Sequence, residues 1–439
     1  MKDTHEPTYR HLCEVLGLTE SELSALAAKH KVENKRNRCI LWWQFLWVSI
    51  FALLNGGSRH SDRARLFKKW FGRLLSTNAF SDWLSRFQTA FFADLVTLVS
   101  AKLAGVGSLK QKQKRKQIVN ALRIEDSSWF QGNRRLRHLV GTLPGQELKA
   151  GLKLFLGLTV HGEFAASTAR VKPGRCADVS YTSKPRKGTV QLRDRGWFSM
   201  PLFTKWVNEG RHFISRIQKS FNPLVTEVFQ GDSSWVKRNL QALNLTGHKE
   251  IHLKIRPWRG KDCVYRLNTK EPLQLDLFGK YMKGKWYWYV AYLPNLEDES
   301  LTFADVHALY TTRWRIEEAF REMKSGFQCR IQRLSNPTNA INQIYLMVLT
   351  WLISQAVFRA VAHKRRRSAN GFRLDNVLKG SGREQMAELF YQIATTGYHI
   401  TKSMNELIDQ IMAIGYSEKR ARSPVHRNQK AALRKLQGA

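Results

Sequence analysis

Residues 310–324 read YTTRWRIEEAFREMK. The segment lacks Gly and Pro and is rich in strong helix formers, so it predicts a helix. At roughly 100° per residue, Tyr310, Arg313, Glu317 and Lys324 fall within about 60° of one another on a helical wheel. Leu309, Ile316, Phe320 and Met323 gather on an adjacent face, centred about 80° away. One face can therefore be buried while its neighbour presents a carboxylate flanked by two cations and a phenol. From the wheel alone two accounts stand: an amphipathic surface helix with ordinary ion pairs, or a helix that carries an acid into a basic site.

The order Tyr, two residues, Arg, three residues, Glu, six residues, Lys resembles the Y-R-E-K signature of bacterial insertion-sequence transposases, family four among them. The signature fixes four residue types at three distances. What the resemblance implies is a DDE transposase with an α/β fold and a ribonuclease-H-like catalytic core. Glu317 would be its third metal-binding carboxylate, and two upstream Asp residues must each end a strand.

The rest of the chain can be searched for those acids. Residues 118–126, IVNALRIED, climb into an apolar segment that is expected to stop at Asp126. LKAGLKLFLGLTVHG and EFAASTARV read as two strands joined by a tight turn at His161–Gly162. After a loop around 172–188, TVQLRDRGWF is a β-branched strand that ends at Asp194. The D-R-G-W block resembles the sequence around the second Asp of the same transposases. PLFTKWVNEGRHFISRI then reads as a helix and an apolar strand. Asp178 competes with Asp126 for the first position, but only 16 residues separate it from Asp194, too few for a two-stranded hairpin. A turn Asp following a strand is the plain alternative for each.

At 439 residues the chain can bury a large core. Its 72 Lys and Arg against 35 Asp and Glu give a net charge of +37, which favours a polyanion through counterion release. Small basic proteins that merely coat nucleic acid rarely carry 14 Trp and 23 Phe. The five cysteines form no CxxC pair, which points to a reducing compartment. The first ten residues are polar and do not read as a signal peptide. Residues 39–54, CILWWQFLWVSIFALL, are too short for a bilayer span and read as a buried helix.

Four regions are expected. Residues 1–108 form a helical N-terminal DNA-binding domain, and 117–220 with 300–362 form the catalytic domain. Residues 221–299 form a β-rich insertion domain and 363–439 a basic helical C-terminal region. In the insertion, Trp286, Tyr287, Trp288 and Tyr289 alternate on one strand, as core and half-exposed faces or as a platform for an unpaired base. The basic run Lys110 to Lys116 is either a solvated linker or a contact to the DNA backbone.

The resemblance implies that Asp126, Asp194 and Glu317 are catalytic and hold two Mg²⁺ ions, for which Mn²⁺ can substitute. It implies that Tyr310, Arg313, Trp314 and Lys324 contact DNA. The expected activity is cleavage at transposon ends and strand transfer into target DNA, of the cut-and-paste kind. The partners would be double-stranded DNA and a second copy of the chain, in the bacterial cytoplasm near the nucleoid, with no membrane. A metal-dependent nuclease of the same fold, or a DNA-binding relative without activity, are the alternatives.

Overall fold

The computed structural model describes residues 6–32, 40–104, 106, 121–140, 142–143, 146–161, 163–176, 188–256, 258–259, 262–263, 273–293, 301–327, 331–367, 369–378, 382–417 and 424–436. Asp178 and the run Lys110 to Lys116 lie outside these residues.

Helical periodicity and caps build the N-terminal region: α1 Tyr9–Leu16, α2 Glu20–Lys29, α3 Trp42–Leu54, α4 His60–Phe71, α5 Thr77–Arg86 and α6 Thr89–Leu103. The capping box at α2 closes reciprocally, with the Glu22 amide donating to Thr19 Oγ1 at 3.2 Å and the Thr19 amide to Glu22 Oε2 at 3.0 Å. Apolar almost all round, α3 is buried, as such a helix must be in water.

Alternating and β-branched segments give the strands β1 Ala121–Gln131, β2 Gln146–His161, β3 Glu163–Pro173, β4 Thr189–Arg193, β5 His212–Arg216, β6 Leu224–Gln230, β7 Glu250–Arg256, β8 Leu275–Met282 and β9 Lys285–Tyr292. They form one sheet in the order β3-β2-β1-β4-β5-β9-β8-β7-β6. The pairs β3–β2 and β2–β1 are antiparallel, whereas β1, β4 and β5 run parallel. From β5 outward every pairing is antiparallel, so the strands between 224 and 292 extend the same sheet.

Neighbouring residues on a strand separate into two apolar clusters, as period-two geometry requires. Ile214, Phe278 and Ala291 join the cluster that holds the N-terminal helices, while Phe213, Leu277 and Val290 join the other with Phe203 and Trp206 of α7 (Met200–Asn208). The sheet thus has a core on each face.

Two expectations need correction. The first strand does not stop at Asp126, because its antiparallel ladder with β2 continues to the pair Gln131–Gly151. What ends near Asp126 is the parallel ladder to β4, whose last pair is Ile124–Leu192. The signature segment is not one helix either. Helix α8, Phe303–Thr311, gives way at Thr312 to α9, Trp314–Arg321, and a π-helical turn follows at Glu322–Gly326. At the junction the Arg315 and Ile316 amides reach back only three residues, to the carbonyls of Thr312 and Arg313.

Helix α10, Pro337–Lys364, is the central strut, and by length and composition it is apolar enough to cross a bilayer. In the fold 94% of its apolar window is buried. Asn342 Nδ2 donates to the carbonyls of Leu84 and Phe87 at 2.8 and 3.0 Å, seating the end of α5 on α10. The C-terminal helices are α11 Gly382–Thr396, α12 Asn405–Gly415 and α13 Pro424–Leu436. The last lies against α8, with Lys435 Nζ 2.8 Å from Asp305 Oδ2.

Candidate active site

Asp126 and Asp194 meet because of strand register. Ala121 pairs with Thr189 and Ile124 with Leu192, so two residues further on Asp126 is level with Asp194. Adjacent strands lie about 4.8 Å apart, which puts the two acids side by side where the parallel ladder ends. Asp126 Oδ1 accepts from the Ser127 amide at 2.8 Å. Just beyond β4, the Asp194 carbonyl accepts from the Trp197 amide at 3.0 Å and opens a 3₁₀ turn, Arg195–Trp197.

The signature segment closes over this edge. Tyr310, at the end of α8, donates its hydroxyl to Asp194 Oδ1 at 3.1 Å. Arg313, at the junction, donates to Asp126 Oδ2 at 3.0 Å and also to Glu317 Oε1. A single guanidinium, 9% exposed, therefore stands between the Asp126 and Glu317 carboxylates, which are 20% and 35% exposed. Of the face predicted from the wheel, Tyr310 and Arg313 reach the two strand residues, Glu317 bonds Arg313, and Lys324 stands over Phe130.

Electrostatics follow from that enclosure. Burial, and then the neighbouring Asp194 charge, push the Tyr310 hydroxyl well above its ordinary pKa, so it remains a donor. Burial opposes the charge on Arg313, but Tyr310 and the Asp194, Asp126 and Glu317 carboxylates outweigh it and raise its pKa. The Lys324 ammonium lies 5.0 Å from the centre of the Phe130 ring, and its partial enclosure lowers its pKa. Trp314 is 61% exposed beside these groups.

Sequence reading missed two supports. Tyr289 of β9 packs its ring 4.8 Å from that of Tyr310 and its hydroxyl lies 2.8 Å from His307 Nδ1. Its place on the inward face of the aromatic alternation was the available signal, while Trp286 and Trp288 stack on each other at 5.2 Å. Glu322, wholly enclosed behind α9, accepts from Trp351 Nε1 and Gln355 Nε2 at 3.0 Å each and from the Leu374 amide at 3.2 Å. No local pattern betrays it.

Among the described residues no three Cys, His, Asp or Glu side chains stand close enough to hold a metal ion as they are arranged. The donor set is nevertheless suited to one. It offers carboxylate oxygens of the kind Mg²⁺ prefers, with the Arg313 guanidinium standing between Asp126 and Glu317.

Residues 131–353, just over half of the chain, match the family model described as a transposase DDE domain. The chain belongs to the DDE transposase family. Asp194, Tyr310, Arg313, Trp314, Glu317 and Lys324 fall within the matched residues and Asp126 just before them. The chain is 25% identical over 240 residues to the transposase for insertion sequence element IS231E of Bacillus thuringiensis subsp. finitimus, covering 47% of this chain and 50% of that protein. It is 23% identical over 331 residues to the transposase for element IS231F of subsp. israelensis, covering 67% and 68%. The match thus spans half of one relative and about two thirds of the other. A DDE domain implies dependence on a divalent metal, generally Mg²⁺.

Proposed function

We propose that this chain is a DNA transposase of the Y-R-E-K group that cuts at the ends of its element and joins them to target DNA. The observation that supports the reading is that Tyr310 bonds Asp194 while Arg313 bonds both Asp126 and Glu317, at the sheet edge where Asp126 and Asp194 stand level. The strand order β3-β2-β1-β4-β5, with β1, β4 and β5 parallel, supports a ribonuclease-H-like core. The strands from 224 to 292 are read as the insertion into it, between the second Asp and the Glu.

Two Mg²⁺ ions, or Mn²⁺ in their place, held by the three acids would lower the pKa of a water or of a DNA 3′-hydroxyl and stabilise the departing oxygen. The chain's own groups prepare that step. Arg313 leaves the Asp126–Glu317 gap and turns its planar fork to a phosphate beside the scissile bond. Lys324 holds a second phosphate oxygen as a point charge, and Tyr310 keeps Asp194 oriented. Trp314, exposed next to Arg313, offers a face to an unstacked base. Because two element ends must be held together, the working form is a homodimer on DNA, in the bacterial cytoplasm.

The test uses the purified chain with labelled duplexes that carry the DNA flanking its own gene. With Mg²⁺, ends are released with a 3′-OH and become joined to a second duplex; with EDTA, neither product forms. Glu317→Gln and Asp194→Asn are expected to lose both products by about a thousandfold or more while retaining end binding. Cleavage without joining would leave a nuclease, and full activity of Glu317→Gln would end the assignment.

A further inference from the structure

Each strand acid is preceded by a buried charge of its own. Glu125 precedes Asp126 and Arg193 precedes Asp194, and strand alternation turns these neighbours to the opposite face of the sheet. There Arg193 donates to Glu125 Oε2 at 2.5 Å, and Arg123 Nε donates to Glu125 Oε1 at 2.9 Å. The three side chains are 0%, 2% and 3% exposed for Arg193, Glu125 and Arg123. The Arg193 guanidinium carbon lies 4.8 Å from the Trp197 ring centre and 5.1 Å from that of Trp206 on α7, while its Nε and second terminal nitrogen find no hydrogen-bond partner among the described residues.

We propose that Arg123, Glu125 and Arg193 are positioning residues, a charged clamp across β1 and β4 that fixes the register in which Asp126 and Asp194 face each other. The proposal rests on the reading of those two acids as metal ligands. A buried ion triad is a poor source of stability, since well-packed apolar side chains of similar volume do as well or better. Its distinctive property is directional. The Glu125–Arg193 bond forms only when Glu125 lies level with Arg193, and a one-residue slip would turn one acid of the pair to the wrong face. The Trp197 and Trp206 rings enclose the fork that makes the bond.

The experiment compares the natural full-length chain with Glu125→Gln, with the triple variant Arg123→Met, Glu125→Leu, Arg193→Met, and with Asp194→Asn. Mn²⁺ affinity without DNA is read by electron paramagnetic resonance, folding by melting temperature, and end cleavage as kcat and KM. The triple variant is expected to fold and bind ends normally, with Mn²⁺ affinity and kcat each lowered about 10- to 100-fold and KM unchanged. Natural Mn²⁺ affinity in either folded clamp variant overturns the proposal, as does a fall in kcat without a fall in affinity. If Asp194→Asn loses Mn²⁺ and the clamp variants keep it, the clamp alone fails. If Asp194→Asn also keeps Mn²⁺, the underlying site assignment fails.

Discussion

Arg313 neutralises two carboxylates that would otherwise face each other across a partly enclosed gap. Removing the guanidinium restores their repulsion and favours their protonation, so the metal-free fold should weaken by about 1–3 kcal/mol. The same change removes a competitor for any cation between them. Arg313→Gln is therefore expected to melt lower than the natural chain in EDTA and to gain more from added Mn²⁺, as read by scanning fluorimetry; an equal gain in the two proteins would contradict the counter-ion role. Tyr310→Phe deletes only the donor to Asp194, at a stability cost of about 1 kcal/mol, and cleavage should fall about 10- to 100-fold. At the first acid position, Asp126→Asn should abolish cleavage and Asp178→Asn should not, and the reverse result would relocate the site. The residue types and spacing of Tyr310, Arg313, Glu317 and Lys324 were legible in the sequence because a helix repeats locally. That Arg313 lies between Asp126 and Glu317 was not, since 187 residues separate it from Asp126.

Among the elements, the signature segment matters through its interruptions. The break at Thr312–Arg313 and the π-helical turn at Glu322–Gly326 frame the short helix that carries Glu317. Glu322 holds the rear of that helix by its bonds to Trp351, Gln355 and the Leu374 amide. Glu322→Leu would leave buried donors unpaired at about 1–3 kcal/mol each, so a loss of about 3 kcal/mol or more in urea unfolding is expected. A loss below about 1 kcal/mol would mean that these bonds do not anchor the turn. Sequence periodicity gave a helix here and concealed its breaks, because Glu322's partners lie 29, 33 and 52 residues away. The first strand shows the same limit. Its apolar run was expected to stop at Asp126, where only the parallel ladder ends, and the continuation to Gln131 depends on the partner strand β2.

Over the whole molecule, charge and burial make two further predictions. With +37 in excess, binding to nonspecific duplex should fall about a thousandfold or more between about 50 and 200 mM salt, measured by fluorescence anisotropy. A fall of less than about tenfold would show that few phosphates are neutralised. The N-terminal helices are tied to α10 through Arg63, which donates to Ser49 Oγ at 3.0 Å and to Gln343 Oε1. His60 sits on the same group, its Nδ1 2.9 Å from an Arg63 nitrogen, and burial, then the Arg63 charge, lower its pKa from 6.5 to about 4. The unfolded chain therefore takes up this proton first. The contribution is complete above about pH 6.5 and is lost as pH falls to about 4, a span worth about 3 kcal/mol. His60→Gln should accordingly lose less stability than the natural chain between those limits, and parallel pH profiles for the two proteins would rule the effect out.

The sequence alone determined that the acid lies in a helical segment with two cations and a phenol on its face, that a strand runs up to Asp194, and that residues 42–54 are buried rather than spanning, all written in local spacing and composition. The family came from the resemblance of the Tyr310, Arg313, Glu317 and Lys324 residues to a known signature. Only the tertiary structure decided that β1, β4 and β5 run side by side, that Arg313 bridges Asp126 and Glu317, and that the later strands continue one sheet. Those facts depend on which distant segments pair, and pairing is set by burying both faces of the sheet at once, a condition no short stretch of residues contains.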